Sequence, residues 1–175
     1  VVNTTILVAP RSTLRIPVSC VEQGRWAYRS DRLMQTGVHS PSIVRLALKS
    51  SVSMSLEDSL GPISNQAEVW DSVARLHAGH RIASRTGAMS DTFETYAEEV
   101  ERYRDALGYV AGARGLAIAV GERVLAIDLF DKADTCEKVW DRLLSGAVLD
   151  ALLAPSDTPG CTKVAIEVLL ETMWD

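Results

Sequence analysis

Residues 115–131, GLAIAVGERVLAIDLFD, constrain the fold more than any other stretch of this 175-residue chain. Two apolar runs flank Gly121-Glu122, and such runs around a two-residue turn are typical of a β-hairpin. Because both runs are apolar at most positions, we expect the hairpin to be central and covered on both faces. Helical patterns lie on either side of it in the chain, so strands and helices must pack together.

Four helices are predicted around this hairpin. Three of them open with a cap residue and a glutamate three positions later, as a capping box does. These pairs are Asn65 with Glu68, Asp91 with Glu94, and Asp134 with Glu137. Apolar side chains follow each pair at helical spacing, and the second pattern continues to Leu107. The last predicted helix follows Pro159-Gly160 and runs to the end of the sequence.

Two further regions are predicted to complete the sheet. The chain opens on VVNTTILV, a strand pattern whose fully apolar stretch ends at Pro10, and residues 14–20 alternate after the turn APRST, which together indicate a hairpin; Pro17 places its second strand at an edge. Residues 44–56 leave two alternatives, because Ser40-Pro41 favours a helix start whereas apolar residues at every second position favour a strand. The alternation fits better, so we predict a strand. The predicted fold is a single α+β domain over 1–175, with an antiparallel sheet built from hairpins and about four packed helices.

Composition narrows the class of protein. Apolar residues make up 47% and charged residues 23% of the chain, as in globular domains. No apolar run approaches the roughly 20 residues that cross a bilayer, and no signal peptide is recognised at the start. The three cysteines, Cys20, Cys136 and Cys161, are widely spaced and form no CxxC, which favours the reducing cytoplasm over a disulfide framework. His77 and His80 lack further ligands at metal spacing, so we predict a solvated helix end and no metal site.

Charge is distributed unevenly along the chain. Residues 1–50 hold seven Lys or Arg and two acidic residues, a net charge of +5, whereas residues 51–175 carry −10. A positive patch on an acidic protein suits a small anionic metabolite better than a nucleic acid, which usually meets a broadly basic domain. A solvated arginine face is the alternative. We therefore predict a small anionic ligand, with neither nucleic acid nor membrane as a partner.

The sequence IPVSCVEQGRW at 16–26 gathers the densest set of chemically active side chains. On a strand, Cys20 and Glu22 project to one face and Ser19 and Val21 to the other. Cys20 and Glu22 are the catalytic candidates. A nucleophilic thiol needs a base, however, and the carboxylate of Glu22 disfavours a thiolate, so Cys20 as a core residue is the alternative.

The residues after Glu22 are candidates for ligand binding. Arg25 offers a planar fork for phosphate or carboxylate, and Trp26 offers a face for stacking. Gln23 lies between them and the strand. An ion pair of Glu22 with Arg25 that caps the turn is the alternative interpretation.

Three other places could contribute to a site. Gln66 and Trp70 lie four apart on one predicted helix face, where a ligand could meet an amide and a ring together, although core packing of Trp70 is the alternative. The loop SRTGAMSD at 84–91 could offer backbone N–H groups to an anion, against competition from Asp91. Asp128 lies inside an apolar strand and needs a partner, for which an arginine is expected.

Several stretches together resemble one bacterial and archaeal family, the ADP-ribosylglycohydrolase- and rhodanese-phosphatase-associated protein domain. They are NTTILV at 3–8, IPVSCVEQGRW at 16–26, YRS at 28–30, NQAEVWD at 65–71, TGAMSD at 86–91 and LFD at 129–131. The resemblance covers most of residues 1–150. It implies a role near NAD or ADP-ribose metabolism and polar site positions at Asn3, Cys20, Glu22, Gln23, Arg25, Trp26, Gln66 and Trp70. Family members also have a polar segment upstream of the NTT strand, which this chain is expected to lack.

The leading functional hypothesis is a domain that binds a phosphate-bearing nucleotide metabolite of the ADP-ribose or NAD type, and in one alternative hydrolyses it. Arg25 would hold phosphate, Trp26 would stack on the base, and Glu22 with Gln23 would bind ribose hydroxyls or orient a water. No cofactor is expected. The competing hypothesis is a non-catalytic interaction domain that docks on a partner enzyme, or forms a homodimer, through the helices at 134–154 or 161–175.

Overall fold

The computed structural model of the chain describes residues 7–24, 37–120 and 123–153. Within those ranges it has five helices and one two-stranded antiparallel sheet, which confirms the α+β class. The elements are α1 (Ser42–Glu57), α2 (Gln66–Gly79), α3 (Ser90–Thr95), α4 (Ala97–Ala106), β1 (Gly115–Val120), β2 (Arg123–Leu129) and α5 (Ala133–Leu152). They fall into two compact units. The first holds 7–24 and 43–96, and the second holds 37–42 and the described residues from 97 onward.

The predicted N-terminal hairpin is not formed by residues 7–17. The turn itself is present, because Ser12 N–H and Ser12 Oγ both donate to Ala9 O and Arg11 adopts a φ of +56°. Beyond the turn, residues 12–17 are not in a strand, and Leu14 is 52% exposed. Alternation predicts a strand only where one face is buried, and that condition fails here. The first predicted strand lies mainly in residues 3–6, outside the described residues.

The predicted strand at 44–56 is wrong, because these residues form α1. The buried apolar side chains are Val44, Leu48 and Val52, which recur every fourth residue and make one helix face. The intervening apolar residues, such as Leu46 at 66% exposure and Met54 at 60%, lie outside the core. The apparent period of two therefore combined a buried helical stripe with exposed residues. The helix signal at Ser40-Pro41 was the correct guide, since α1 begins at Ser42.

Helix α2 begins as its capping box predicts. Asn65 Oδ1 accepts the Ala67 N–H at 3.0 Å, and Asn65 Nδ2 donates to Glu68 Oε1 at 3.2 Å. The side chains of Val69, Val73 and Leu76 are then buried along one face of the helix. The cap thus fixes where α2 starts, and the apolar face fixes how it is rotated.

The helix predicted from Asp91 to Leu107 is divided at Tyr96 into α3 and α4. Tyr96 leaves helical geometry, with φ −107° and ψ 26°. Its ring packs against His80, with the ring centroids 4.9 Å apart. The predicted cap at Asp91 is wrong, because Met89 is the N-cap of α3 and makes no side-chain cap hydrogen bond. An apolar stripe predicts which face a helix buries, but not a break that depends on a tertiary contact.

In the second unit, the predicted hairpin is present as β1 and β2. Gly115 pairs with Leu129 and Val120 with Arg123, with an irregularity between Ile118 and Ala119. The side chains are half-buried or exposed, so the expectation of a strand pair covered on both faces is wrong. In the described ranges the sheet has only these two strands, and α5 packs on β1 and on α4.

Helix α5 forms the core of the second unit, as its predicted apolar stripe requires. Cys136, Leu143, Val148 and Leu149 are buried along it. Burial raises the pKa of the Cys136 thiol, which therefore behaves as a small apolar core residue. On its flank, Trp140 Nε1 donates to Leu107 O at 2.8 Å. The last predicted helix, 161–175, lies outside the described residues.

Residues 37–42 cross α5 at Gly146. The His39 N–H donates to Ser145 Oγ at 3.3 Å, and the Ser42 N–H donates to Asp150 Oδ2 at 2.8 Å. A Cβ added at Gly146 would lie 2.8 Å from His39 O and 2.9 Å from the carbonyl oxygen of Ser40. The crossing therefore depends on a residue without a side chain at this point of the helix.

We predict that Gly146→Ala destabilises the protein. Alanine favours a helix over glycine by about 1 kcal/mol, but the added methyl group would push against backbone atoms, and overpacking of this kind costs roughly 1–3 kcal/mol. The measurement is the free energy of unfolding in urea. Gly108→Ala is the control, because nothing lies within 4 Å of its added Cβ, and a change below about 0.5 kcal/mol is expected. Equal stability of the two variants would contradict the close crossing.

Candidate functional site

The described end of the 16–26 motif lies against the 84–91 segment, SRTGAMSD. Glu22 and Ala88 form an antiparallel β-bridge, and the Met89 N–H donates to Val21 O at 2.9 Å. Two stretches that the sequence singled out separately are thus held together by backbone hydrogen bonds.

Glu22 uses its carboxylate to hold the start of α3. Glu22 Oε1 accepts the Ser90 N–H at 3.0 Å, and Glu22 Oε2 accepts a hydrogen bond from Ser90 Oγ. A carboxylate in this place satisfies an N–H group that a helix start leaves without an intrahelical acceptor. Arg25, the ion-pair partner that the sequence suggested, lies outside the described residues.

Gly24 allows the backbones of the two segments to approach closely. A Cβ at Gly24 would lie 2.7 Å from Thr86 Cα and closer still to the Thr86 carbonyl oxygen. Beside it, Gly87 adopts a φ of +68°, a left-handed conformation that favours glycine, and Gln23 Oε1 packs over it. Gln23 itself is exposed.

Residues 87–91 of the 84–91 segment use their backbone N–H groups within the protein. The Gly87 N–H donates to Ser84 Oγ, that of Ala88 to Thr86 Oγ1, and that of Asp91 to the Ala88 carbonyl. The N–H groups of Met89 and Ser90 are used by Val21 and Glu22, as described above. Asp91 Oδ2 in turn accepts from Ser84 Oγ and Thr86 Oγ1. The N–H groups of residues 87–91 are thus bonded within the protein, and the hypothesis that this loop offers amides to an anion stays a prediction for residues 84–86, which line an open pocket with the Arg85 side chain.

His77, on α2, also forms a hydrogen bond with this segment. His77 Nε2 lies 3.1 Å from Ala88 O, and because a carbonyl can only accept, the ring must carry its proton on Nε2. His77 and His80 are 6% and 7% exposed, so the expected solvated helix end is wrong. Within the described ranges, no group of three or more His, Cys, Asp or Glu side chains could hold a metal ion.

Gln66, the first residue of α2, pairs with the backbone of Cys20. The Cys20 N–H donates to Gln66 Oε1 at 2.9 Å, and Gln66 Nε2 donates to Cys20 O at 2.7 Å. The side-chain amide of Gln66 thus makes the two hydrogen bonds with the Cys20 backbone that a neighbouring strand would otherwise make. Next to it, the hydroxyl groups of Ser19 and Ser64 form a hydrogen bond.

These contacts leave an open pocket of about 540 Å³ between residues 18–22 and α2. We call it the motif pocket; it is lined by Val18, Ser19, Cys20, Val21, Glu22, Gln66 and Trp70. Its volume lies within the range of small-molecule sites. The structure therefore brings together four of the predicted site residues: Cys20, Glu22, Gln66 and Trp70.

The other predicted site residues do not join the lining. Gln23 packs on Gly87 instead. Asn3, Arg25 and Trp26 lie outside the described residues. Cys20 is a half-buried free thiol, while its neighbours Ser19 and Val21 are buried, so the predicted alternation holds but the core face is the other one.

Comparison with family models identifies the chain. The model of the ARG and Rhodanese-Phosphatase-superfamily-associated Protein domain matches residues 1–173. The chain belongs to this family. Comparisons with curated proteins and with solved structures gave no significant match.

Membership in the family extends over more of the chain than the sequence motifs indicated, and it includes both compact units.

Asp128 is half-buried on β2 of this family member, opposite Leu116, and it does not line the motif pocket. The nearby Arg114 donates to the backbone carbonyl of Asp131. In the described ranges, no helix is long and apolar enough to cross a membrane.

Sequence reasoning missed the partners of the motif in this family member. Ser90 lies 68 residues from Glu22, and Thr86 and His77 also belong to the missed set. The sequence concealed this contact, because Asp91 was the predicted cap of the helix, whereas in the structure the Glu22 carboxylate accepts from Ser90 at its start. Nothing in the spacing, however, says which helix start Glu22 reaches.

We predict that Glu22→Ala lowers the free energy of unfolding by roughly 1–3 kcal/mol, because the Ser90 N–H loses its acceptor. Glu22→Gln should retain most of the stability, since the amide oxygen still accepts from Ser90 N–H and the amide NH₂ can donate to Ser90 Oγ. The measurement is urea unfolding followed by circular dichroism.

The control for this pair is Glu57→Ala, which removes an exposed carboxylate at the end of α1. It should change stability by less than about 0.5 kcal/mol. If Glu22→Ala is as stable as this control, the contact with Ser90 has no role in holding α3.

Proposed function

We propose that this domain binds a phosphate-bearing nucleotide metabolite of the ADP-ribose or NAD type in the motif pocket. The observation that supports the proposal is the convergence of Cys20, Glu22, Gln66 and Trp70 on one cavity of about 540 Å³. The choice of ligand class rests on the family resemblance, in which we interpret ARG as ADP-ribosylglycohydrolase.

Trp70 is the residue in the lining best suited to a nucleotide. Its side chain is half-buried beside the cavity, so part of its ring remains available for contact. Aromatic faces bind bases by stacking, and each stacked base contributes roughly 1–3 kcal/mol. The rigid position of α2, fixed by the Asn65 cap and by Gln66, would hold that ring ready for a ligand.

We propose binding rather than hydrolysis as the function. Both oxygens of Glu22 accept hydrogen bonds from Ser90, and both polar atoms of Gln66 bond to Cys20. These contacts support positioning roles for the two side chains. Cys20 shares the lining with the Glu22 carboxylate, and in the described ranges no histidine lines the motif pocket to act as a base for its thiol.

We also propose that the domain works in the cytoplasm. Cys20 and Cys136 are free thiols, and Cys136 is fully buried. Free thiols persist where the compartment is reducing.

The test is isothermal titration of ADP-ribose and NAD against the whole chain and against Trp70→Ala. We expect binding to the unchanged chain and a loss of roughly fivefold to 150-fold in affinity in the variant, the range that corresponds to one stacked base. Arg75→Ala, an exposed position on the same helix and outside the pocket, is the control and should bind normally. Absence of heat at millimolar concentration of both ligands would overturn the proposal.

Docking on a partner enzyme or a second copy is the other candidate function. The observation that favours it is the set of exposed large apolar side chains, which includes Leu7 at 94%, Leu46 at 66% and Leu60 at 67% exposure. These residues lie on 7–18 and on α1 with the loop after it. The sequence instead suggested the helices at 134–154 or 161–175; in the first, Leu153 at its end is 40% exposed, and the second lies outside the described residues. Light scattering after size exclusion tests the homodimer: a dimer that Leu46→Glu converts to monomer supports it, and a monomeric wild type opposes it.

A further inference from the structure

We infer that the motif pocket receives the heterocyclic ring of its ligand and leaves the phosphate groups outside. This inference rests on the proposed function and adds which part of the nucleotide is recognised there. It follows from the chemistry of the lining.

The surface that the pocket offers is mainly apolar. Val18 is 62% exposed at its edge, and the Trp70 ring and the Cys20 thiol are half-buried in its wall. Apolar and aromatic walls with few polar groups suit a flat ring, which gains from leaving water and from stacking. A phosphate group would lose its hydration against the same walls without replacement.

Two polar side chains of the lining, Gln66 and Ser19, are bonded within the protein, whereas the buried Nε1 of Trp70 has no hydrogen-bond partner among the described residues. Gln66 bonds twice to the Cys20 backbone, and the Ser19 hydroxyl bonds to Ser64. Ser19 is only 2% exposed. A phosphate needs several convergent donors, such as N–H groups or an arginine fork, and these side chains do not supply them.

The charge of the lining also favours a heterocyclic ring over a phosphate group. Glu22 is the charged member of the described lining, and neither lysine nor arginine is among the lining residues of the described ranges. A phosphate in the pocket would face a carboxylate, whereas the exocyclic amino group of a base would be attracted to it. In the adjoining segment, the backbone N–H groups of Gly87, Ala88 and Ser90 are already bonded within the protein.

The experiment is competition calorimetry on the whole chain with adenosine, ribose 5-phosphate and ADP-ribose. We expect the affinity for adenosine to lie within about tenfold of that for ADP-ribose, and ribose 5-phosphate to bind at least tenfold more weakly than adenosine, a gap of about 1.4 kcal/mol. Trp70→Phe should keep most of the adenosine affinity, and Trp70→Ala should lose roughly fivefold to 150-fold. Arg75→Ala again serves as the control, and circular dichroism checks that each variant is folded.

The outcomes separate this inference from the proposed function. If ADP-ribose binds but ribose 5-phosphate binds as tightly as adenosine, the base-first inference is overturned and the proposed function stands. If ADP-ribose, NAD and adenosine all fail to bind, both are overturned.

Discussion

The antiparallel contact between residues 21–24 and the 84–91 segment is the interaction on which the rest of the candidate site depends. It joins Val21 O to the Met89 N–H and the Glu22 carboxylate to Ser90, and Gly24 permits the backbones to meet. Polar backbone groups that leave water must find partners, and here each segment supplies them to the other. His77 completes the arrangement from α2 by donating to Ala88 O.

This contact explains why a motif rich in reactive residue types functions first as a scaffold. The Glu22 carboxylate accepts from the N–H and hydroxyl groups of Ser90, and the Gln66 amide bonds to the Cys20 backbone, so the wall of the motif pocket stays largely apolar although its sequence is polar. Rigid support of this kind is what a binding site needs, because the side chains that meet a ligand then lose little freedom on binding. Trp70 is the side chain so placed, and we propose that a base stacks on it.

Much of the fold could be predicted from local signals, and the failures have specific causes. The cap of α2 and the pairing of β1 with β2 depend on local sequence, which was therefore sufficient, whereas the predicted Asp134 cap of α5 is wrong, because Lys132 is the N-cap and makes no side-chain cap hydrogen bond. Residues 44–56 were wrongly predicted as a strand, because α1 has apolar residues on both its buried and its exposed sides, and together they fall at every second position. In the site, the shared face of Cys20 with Glu22 and that of Gln66 with Trp70 followed from spacing, but the bond from Glu22 to Ser90 spans 68 residues and depends on tertiary packing.

Hydrogen exchange measured with and without ADP-ribose tests most directly whether residues 18–22 and α2 form a ligand site. The account predicts that saturating ADP-ribose slows amide exchange in peptides covering 18–22 and 66–70, while peptides covering α4 keep their rates. Unchanged exchange in both pocket peptides at saturation, or protection confined to α4, would contradict it.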